Sequence, residues 1–347
     1  MSLTGSIGLD PVTQGVVGLS ASQLVSKRRE RMMAAVLGVL SGMAADLDVL
    51  IKSPNDPLLY LEYHRHFTHA LIFIPFGALF CALLARFIFR KWFAGNQLSF
   101  SRTYLFCLAG YATHAVLDAC TTYGTQLFWP FSNARVAWNN VSVIDPLFTV
   151  PLILLMLLTL WLKSSRTAWF AAVYAVSYLG LGVVQNKRAI SIAQDLANSR
   201  GHYSVDISAK PSFANLIVWK SVYEYQDRYY VDAIRILIDK KIYPGTSIAK
   251  LSLDTHFPWL EDSSQQARDV ERFRWFSNQY LSVDPENANR IIDVRYSMVP
   301  NRFDGMWGIV LSPTADKTEH VAWTTSRRGG DKAKRSAKQL WLMIRGQ

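Results

Sequence analysis

Residues 103–120 read TYLFCLAGYATHAVLDAC, an apolar run of helical length that carries two polar side chains near its end. These are His114 and Asp118, and their spacing of four residues places both on one face of a helix. An ionised carboxylate at membrane depth is costly unless it is paired or binds a cation. The run therefore predicts a helix that supplies two metal ligands, or, as the alternative, a polar pair hydrogen-bonded within a bundle.

Further apolar segments lie on both sides of this run. Most are long enough to approach the ~30 Å hydrocarbon thickness at ~1.5 Å per residue, although the first is short. From Lys187 onward the chain is charged, aromatic and β-like. We predict an all-α polytopic membrane bundle of about five to six helices over residues 1–186, followed by a small soluble α+β domain over residues 187–347. The apolar segments cover residues 11–26, 32–50, 68–89, 103–120, 146–162 and 167–185.

Basic residues predict the orientation of these segments. The connections 27–31, 86–102 and 163–166 hold ten lysines and arginines, whereas 51–67 and 121–145 hold three. By the positive-inside rule the first set is cytoplasmic. The other helix ends and the C-terminal domain then lie on the periplasmic side of the inner membrane. The net charge of +11 is spread over both halves of the chain, so no nucleic-acid partner is expected.

The acidic residues and histidines of the apolar half cluster at the predicted outer helix ends. They are too many for one tetrahedral ion, so two or more ions are predicted. A mixed carboxylate and imidazole set favours Zn²⁺, with Mn²⁺ or iron as alternatives. The predicted metal ligands are Asp46, Asp48, His64, His69, His114, Asp118 and Asp145.

Several of these residues have competing interpretations. Asp46 and Asp48 point apart on a continuous helix, so both can serve one site only if the helix ends there, and one of them could instead cap or solvate the helix end. Asp145 precedes a proline and could be an N-cap, a role compatible with metal binding. The run from His64 to His69 could be a surface loop. If it is not, His66 is a possible extra ligand.

Catalytic and supporting roles are predicted for neighbouring side chains. Arg65 could grip a phosphate or carboxylate with its planar guanidinium, or could be a charge that faces lipid headgroups without a catalytic role. Asp48 is the second residue given a catalytic role. Thr68 and Thr122 are expected to hydrogen-bond to the ligands and orient them. Two ions about 4 Å apart would lower the pKa of a water towards neutrality and make it a nucleophile.

The ordered motifs resemble those of the YdjM-like membrane-bound, metal-dependent hydrolases, also described as LexA-binding, inner membrane-associated hydrolases. The resemblance covers about residues 8–160. It rests on Asp46-Leu47-Asp48, His64-Arg65, Thr68-His69, His114 with Asp118, Thr122, Gly124, Trp129-Pro130 and Ile144-Asp145-Pro146.

The resemblance extends to the opening stretch Asp10-Pro11-Val12-Thr13-Gln14-Gly15, where family members commonly have histidine in place of Gln14. Because an amide coordinates transition metals poorly, Gln14 is predicted to support the ligands. Asp10 is given the same supporting role. The family is similar to zinc-dependent phospholipase C and P1-type nucleases. This similarity implies that a phosphoester is the substrate.

The sequence thus favours a membrane hydrolase in which a metal-activated water attacks a phosphoester or similar bond of a lipid or envelope-related substrate. Membrane lipids and a small-molecule or lipid substrate are the expected partners. A cation transporter or metal-binding membrane protein is one alternative, although transport sites usually lie near the bilayer midplane and these residues cluster at helix ends. A regulatory or scaffold protein is another alternative.

The C-terminal half contains strand and helix patterns. Residues 215–225 and 228–237 are aromatic and β-branched runs, and Gln226-Asp227 between them predicts a hairpin. Residues 265–280 have helical periodicity. The domain could cover the metal site, select a substrate or only add stability.

Overall fold

The computed structural model describes residues 10–325 and 330–347, apart from the side chains of Asp10, Asn96 and Lys332. The described residues form two compact units. The first unit comprises residues 10–50, 63–183 and 213–215. The second comprises residues 51–62, 184–212 and 216–347.

The N-terminal half of the chain is helical. Three short 3₁₀ segments, Ala45–Leu50, Phe67–His69 and Leu71–Phe73, lie between the α-helices. The α-helices are α1 (Asp10–Leu24), α2 (Arg31–Ala44), α3 (Leu59–Tyr63), α4 (Ile74–Ile88), α5 (Arg90–Asn96), α6 (Phe100–Cys120), α7 (Pro146–Leu162) and α8 (Ser165–Ser199).

Glycines allow helices α1, α2 and α6 to pack backbone against backbone. A Cβ atom on Gly18 of α1 would lie 2.4 Å from the carbonyl oxygen of Gly38 in α2. One on Gly110 of α6 would lie 2.7 Å from the same oxygen. Small residues permit this kind of approach in membrane bundles. A side chain at Gly18 or Gly110 would therefore require the helices to move apart.

Among the described residues, three helical stretches are long and apolar enough to cross a membrane, namely Arg31–Leu50, Leu71–Ile88 and Ser165–Ser199. Helix α7 is apolar but shorter. Helix α1 has 15 residues and would extend only about 22 Å. The predicted number of five to six spans is therefore not confirmed for residues 10–325 and 330–347, since the described part of α1 is short and α6 is not among the three stretches.

The C-terminal half forms two antiparallel sheets with helices. The first sheet has the order β1-β2-β3-β4, and β5 also pairs with β3; the second has the order β6-β7-β8-β9. The β-strands are β1 (Ile207–Pro211), β2 (Val218–Tyr225), β3 (Arg228–Ile236), β4 (Lys240–Tyr243), β5 (Ser247–Ala249), β6 (Leu281–Asp284), β7 (Asn287–Asp293), β8 (Trp307–Val310) and β9 (Ala322–Thr325). The helices are α9 (Leu253–His256), α10 (Gln265–Phe276) and α11 (Asp331–Ile344).

The predicted hairpin is confirmed. Strands β2 and β3 pair with Tyr225 opposite Arg228. Gln226 and Asp227 between them have positive φ angles of 48° and 55°. Positive φ at both central residues is typical of the two-residue turns that match the strand twist.

The segment 51–62 packs with the C-terminal unit, although the sequence analysis placed it in the membrane domain. Arg272 of α10 forms ion pairs with Asp56 at 2.8 Å and with Glu62 at 2.5 Å. Leu58 and Leu61 of the same segment are buried. The division into two units therefore differs from the predicted boundary at residues 186 and 187. Local composition cannot predict ion pairs between residues this far apart in the chain.

The buried ammonium group of Lys220 predicts a pH-dependent stability. Lys220 in β2 donates to the hydroxyl oxygen of Ser297 at 2.8 Å and to the carbonyl oxygen of Arg302 at 2.9 Å. Burial lowers the pKa of Lys220 from 10.5 to about 7. Between these pH values the unfolded chain binds a proton that the folded chain does not. The free energy of unfolding therefore falls as the pH is lowered, by up to about 1.4 kcal/mol per pH unit.

We expect the detergent-solubilised wild type to unfold at a higher temperature at pH 9 than at pH 7. The Lys220→Met variant should show a smaller difference, because it lacks the titrating group. Thermal unfolding of both proteins at the two pH values measures this effect. An equal pH dependence in both proteins would contradict the prediction.

Candidate metal centre

Four side chains bring one ligand atom each to a common point in the first unit. They are Asp46 from the 3₁₀ segment after α2, His69 from the segment before α4, and His114 and Asp118 from α6. The Nε2 atoms of His69 and His114 are 2.9 Å apart. These atoms lie 3.4 Å and 3.3 Å from Asp46 Oδ1, and 3.1 Å and 3.6 Å from Asp118 Oδ2.

The spacing of these atoms fits a tetrahedral divalent ion. Nitrogen and oxygen ligands at the usual distances from Zn²⁺ lie about 3.4 Å from one another at the corners of a tetrahedron. The separations between the ligand atoms given above range from 2.9 Å to 3.6 Å and so fall on both sides of this value. The residues present therefore fit one ion without a large movement of any side chain.

Hydrogen bonds at the other ring nitrogens direct both imidazoles toward this point. His114 Nδ1 lies 2.6 Å from the carbonyl oxygen of Gly42, so this nitrogen must carry the proton that it donates. His69 Nδ1 lies 3.2 Å from Asp48 Oδ2 and 3.0 Å from the hydroxyl oxygen of Thr68. In each neutral ring the lone pair is then on Nε2. Two imidazole lone pairs and two carboxylates meet in a buried place, which is an arrangement that a cation stabilises.

A second group consists of Asp46, Asp48 and His64. Asp48 Oδ1 lies 2.9 Å from His64 Nδ1. Burial lowers the pKa of His64, which favours the neutral ring that can bind a metal ion. Asp46 belongs to both groups. Its carboxylate is therefore the one that could lie between two ions.

The end of helix α2 allows Asp46 and Asp48 to contribute to the same ligand group. The helix ends at Ala44, and residues Ala45–Leu50 continue as a 3₁₀ helix. The condition under which both aspartates can serve one site is therefore met. With about three residues per turn, Asp46 and Asp48 are less opposed than on an α-helix, and both contribute to the second group.

The family comparison matches the part of the chain that contains both groups. The model of the YdjM inner membrane protein family matches residues 9–189, which is more than half of the chain. This chain belongs to the YdjM inner membrane protein family. The resemblance found in the sequence is confirmed. The family and the apolar helices together indicate a protein of the inner membrane.

Two relatives of this YdjM family member match shorter regions. The inner membrane protein YbcI of Escherichia coli (strain K12) is 33% identical over 110 residues, which are 30% of this chain and 60% of YbcI. YfhP of Bacillus subtilis (strain 168) is 28% identical over 114 residues, or 33% of each chain. The chain thus matches less than two thirds of the length of either relative. No solved structure matches it.

Within the region matched to the YdjM family, Arg65 contacts a ligand carboxylate. Its Nε lies 3.0 Å from Asp118 Oδ2, and its Nη1 donates to the hydroxyl of Thr121 at 2.8 Å. The side chain is only 2% exposed. The backbone has a φ of 62°, and its N–H donates to Asp48 Oδ2 at 2.9 Å. Arg65, whose backbone has left-handed dihedral angles, therefore contacts Asp48 of the second group through its backbone N–H and Asp118 of the first group through its side chain.

Two of the predicted supporting residues contact ligands. Gln14 Nε2 donates to Asp118 Oδ1 at 2.6 Å, and the amide is buried. Thr68 Oγ1 donates to Asp48 Oδ2 at 3.1 Å. Thr122 is buried next to Thr121, but Thr121 makes the contact with Arg65.

The structure does not bring every predicted residue of the YdjM-like motif into the two groups. Asp145 caps α7 by accepting from the backbone N–H groups of Leu147 and Phe148, and its other oxygen accepts from Tyr178 at 2.9 Å. His66 lies among aromatic rings, 5.3 Å from Trp129 between ring centroids. The side chain of Asp10 lies outside the described residues. The geometry therefore gives no support to Asp145 or His66 as ligands.

Sequence reasoning missed three supporting groups. Thr121 accepts from Arg65 and donates to the carbonyl oxygen of Asp118 at 2.7 Å. The carbonyl of Gly42 orients His114, and the hydroxyl of Tyr111 donates to the carbonyl of Thr68 at 2.9 Å. Thr121 was detectable as a polar residue one turn after the His114 and Asp118 pair. The Gly42 carbonyl carries no side-chain signal.

Asp145 and Thr121 share the lining of a small cavity, whose volume of about 10 Å³ is close to that needed for one water molecule. Thr13 and Phe148 also line it. The cavity thus reaches the threonine that contacts Arg65. Asp145 lines this cavity and is a member of neither ligand group.

Proposed function

We propose that this protein is a membrane-bound, metal-dependent hydrolase that acts on a phosphoester or similar bond in a lipid or envelope-related substrate. The observation that carries the proposal is the pair of ligand groups that share Asp46. A carboxylate common to two groups is the arrangement expected for a site with two ions. The membership in the YdjM inner membrane protein family supports the membrane location.

The residues divide into two sets around the shared carboxylate. His69, His114 and Asp118 would hold one ion, and Asp48 with His64 would hold a second. Nitrogen and oxygen ligands favour Zn²⁺, with Mn²⁺ as the alternative. Such ions supply Lewis acidity toward a phosphoryl oxygen and lower the pKa of a water.

We assign Arg65 a positioning role. Its guanidinium is buried and pairs with Asp118, which keeps that carboxylate ionised and fixed in orientation. Asp48 likewise accepts from the backbone N–H of Arg65 and contacts the rings of His64 and His69. Arg65 would then act by holding a ligand carboxylate in place, whereas Asp48 would combine contacts to neighbouring ligands with binding of the second ion.

We also propose an orientation for the protein in the membrane. The excess of lysine and arginine in connections 27–31, 86–102 and 163–166 favours a cytoplasmic location for them and a periplasmic location for the site. Both groups lie in 3₁₀ segments, a connection and the last turns of α6. This position at helix ends favours hydrolysis over the alternative, ion transport through the bilayer midplane.

Hydrolysis should depend on the metal and on Asp46. We expect the purified protein, supplied with Zn²⁺ or Mn²⁺, to hydrolyse bis-p-nitrophenyl phosphate or a lipid phosphate such as phosphatidic acid. Asp46→Asn should lower the rate more than about 100-fold, since even the outer partners of metal ligands are worth 10- to 100-fold. Release of p-nitrophenol or inorganic phosphate measures this.

The matched control is His66→Ala, which removes an imidazole from the same loop but from neither group. It should retain most of the activity. Metal-loaded protein that hydrolyses none of these substrates would count against the hydrolase and favour the transporter or scaffold alternatives. Equal losses in Asp46→Asn and His66→Ala would show that the assay reports loop folding and not the site.

A further inference from the structure

The connection between β3 and β4 presents an uncovered apolar tip. Ile238 is fully exposed, and Leu237 is 41% exposed. Within the described part of the chain, no residue covers the Ile238 side chain. Lys240 and Lys241 follow the tip and are also exposed. Two adjacent exposed aliphatic residues followed by two lysines are typical of a segment that meets a lipid surface.

The only acidic residue of the tip is already paired. Asp239 Oδ1 lies 3.0 Å from Arg235 Nη1, which also contacts Oδ2 at 3.2 Å. Arg235 belongs to β3, so the acid is neutralised from within the sheet. The outer charge of the tip is therefore that of the two lysines, which is suited to anionic headgroups.

Helix α8, a candidate membrane span, is hydrogen-bonded to this tip. Gln185 Nε2 donates to the carbonyl oxygen of Ile236 at 3.1 Å, and Arg188 Nη2 donates to that of Leu237 at 3.2 Å. Both donors follow the apolar part of α8, which is a candidate membrane span. Residues 165–184 of this helix cover about 30 Å, the thickness of the hydrocarbon core. Lys187 and Arg188 are the first charged residues after them.

These observations relate the tip to the end of the apolar part of α8, without reference to the metal site. The hydrogen bonds join the tip to the turn of α8 at which apolar residues give way to charged ones. A segment held at that level meets the boundary between acyl chains and headgroups. Partners in bulk water would not explain why the exposed aliphatic residues occur at this level.

We propose that the β3–β4 tip inserts into the interface of the membrane that α8 crosses. Leu237 and Ile238 would enter the boundary between acyl chains and headgroups, while Lys240 and Lys241 would lie near anionic phosphates. The first sheet is then attached to the bilayer at two points, the helix and the tip. The occupant of this apolar surface is lipid.

The test uses a fluorescent probe on the full-length protein. Ile238→Cys is labelled with an NBD maleimide and reconstituted in vesicles of phosphatidylethanolamine and phosphatidylglycerol. Some vesicles also contain phosphatidylcholine with a nitroxide near the headgroup end of one acyl chain. We expect blue-shifted emission and several-fold stronger quenching by the nitroxide lipid than at a control position. Labelling of the wild type corrects for the native cysteines, of which Cys107 and Cys120 are buried.

The matched control is Gln226→Cys, in the exposed turn at the other end of the same strand. The two ends of β3 are about 26 Å apart, so its probe should remain in water and unquenched. Equal, water-like emission at both positions would overturn the proposal. Blue-shifted emission at position 238 without nitroxide quenching would also overturn it, because the tip would then contact protein and not lipid.

Discussion

Replacing His114 with alanine is expected to abolish metal retention by the purified protein. The change removes one of the four atoms that converge in the first group and leaves Asp46 and Asp118 as buried acids with fewer partners. Asp118→Asn should have a similar effect, since it removes the carboxylate that contacts both imidazoles and Arg65. Metal content by mass spectrometry, after reconstitution with Zn²⁺ or Mn²⁺, measures both losses.

The structure provides a stringent control for this experiment. His66→Ala removes a histidine three residues from His69, yet His66 belongs to neither ligand group. We expect this variant to retain the wild-type amount of metal. If His114→Ala keeps its metal, the four-atom group is a hydrogen-bonded network. If His66→Ala loses as much metal as His114→Ala, the ligand assignment within the loop is wrong.

Replacing Gly18 with valine is expected to separate the helices that form the site. A Cβ at this position would lie 2.4 Å from the carbonyl oxygen of Gly38 and 2.9 Å from the Cα of Gly42. Both atoms belong to the backbone and cannot rotate away. Overpacking of this kind costs up to about 3 kcal/mol of stability, or more when backbones must move. We therefore expect a large decrease in unfolding temperature and a loss of bound metal.

Gly15 in the same helix is the matched control. A Cβ there would meet the flexible side chain of Met43, with its sulfur at 3.2 Å. Gly15→Ala should therefore change the unfolding temperature little and leave the metal content unchanged. Thermal unfolding in detergent and metal analysis are carried out on both variants. A loss in Gly18→Val alone would be due to the backbone contact between α1 and α2, whereas a loss in both variants would be due to any substitution in α1. Wild-type behaviour of Gly18→Val would show that α1 and α2 do not depend on this contact.

Much of the site could be predicted from local patterns. The spacing of His114 and Asp118 places them on one face of α6, and the structure shows both in one ligand group. The two aspartates at positions 46 and 48 can serve one site only if the helix ends there, and α2 does end at Ala44. These features depend on a few consecutive residues, so helix periodicity and end signals are sufficient to find them.

Longer-range features could not be predicted in the same way. Asp145 and His66 are of the same residue types as the ligands and occur at similar places in the sequence, but one caps α7 and the other contacts Trp129. The side-chain direction of such residues depends on partners far away along the chain. Residue type and spacing alone therefore do not distinguish members of the two ligand groups from side chains with other partners.

The sequence by itself determined the family, the apolar helices, the β2–β3 hairpin and the residue types of the metal centre. The tertiary structure alone decided which carboxylate is shared, because the position of Asp46 depends on the packing of α2 and α6 through Gly38 and Gly110. It also decided that segment 51–62 packs with the C-terminal unit, through Arg272. Local structure follows from neighbouring residues, whereas these contacts join residues that only the folded chain brings together.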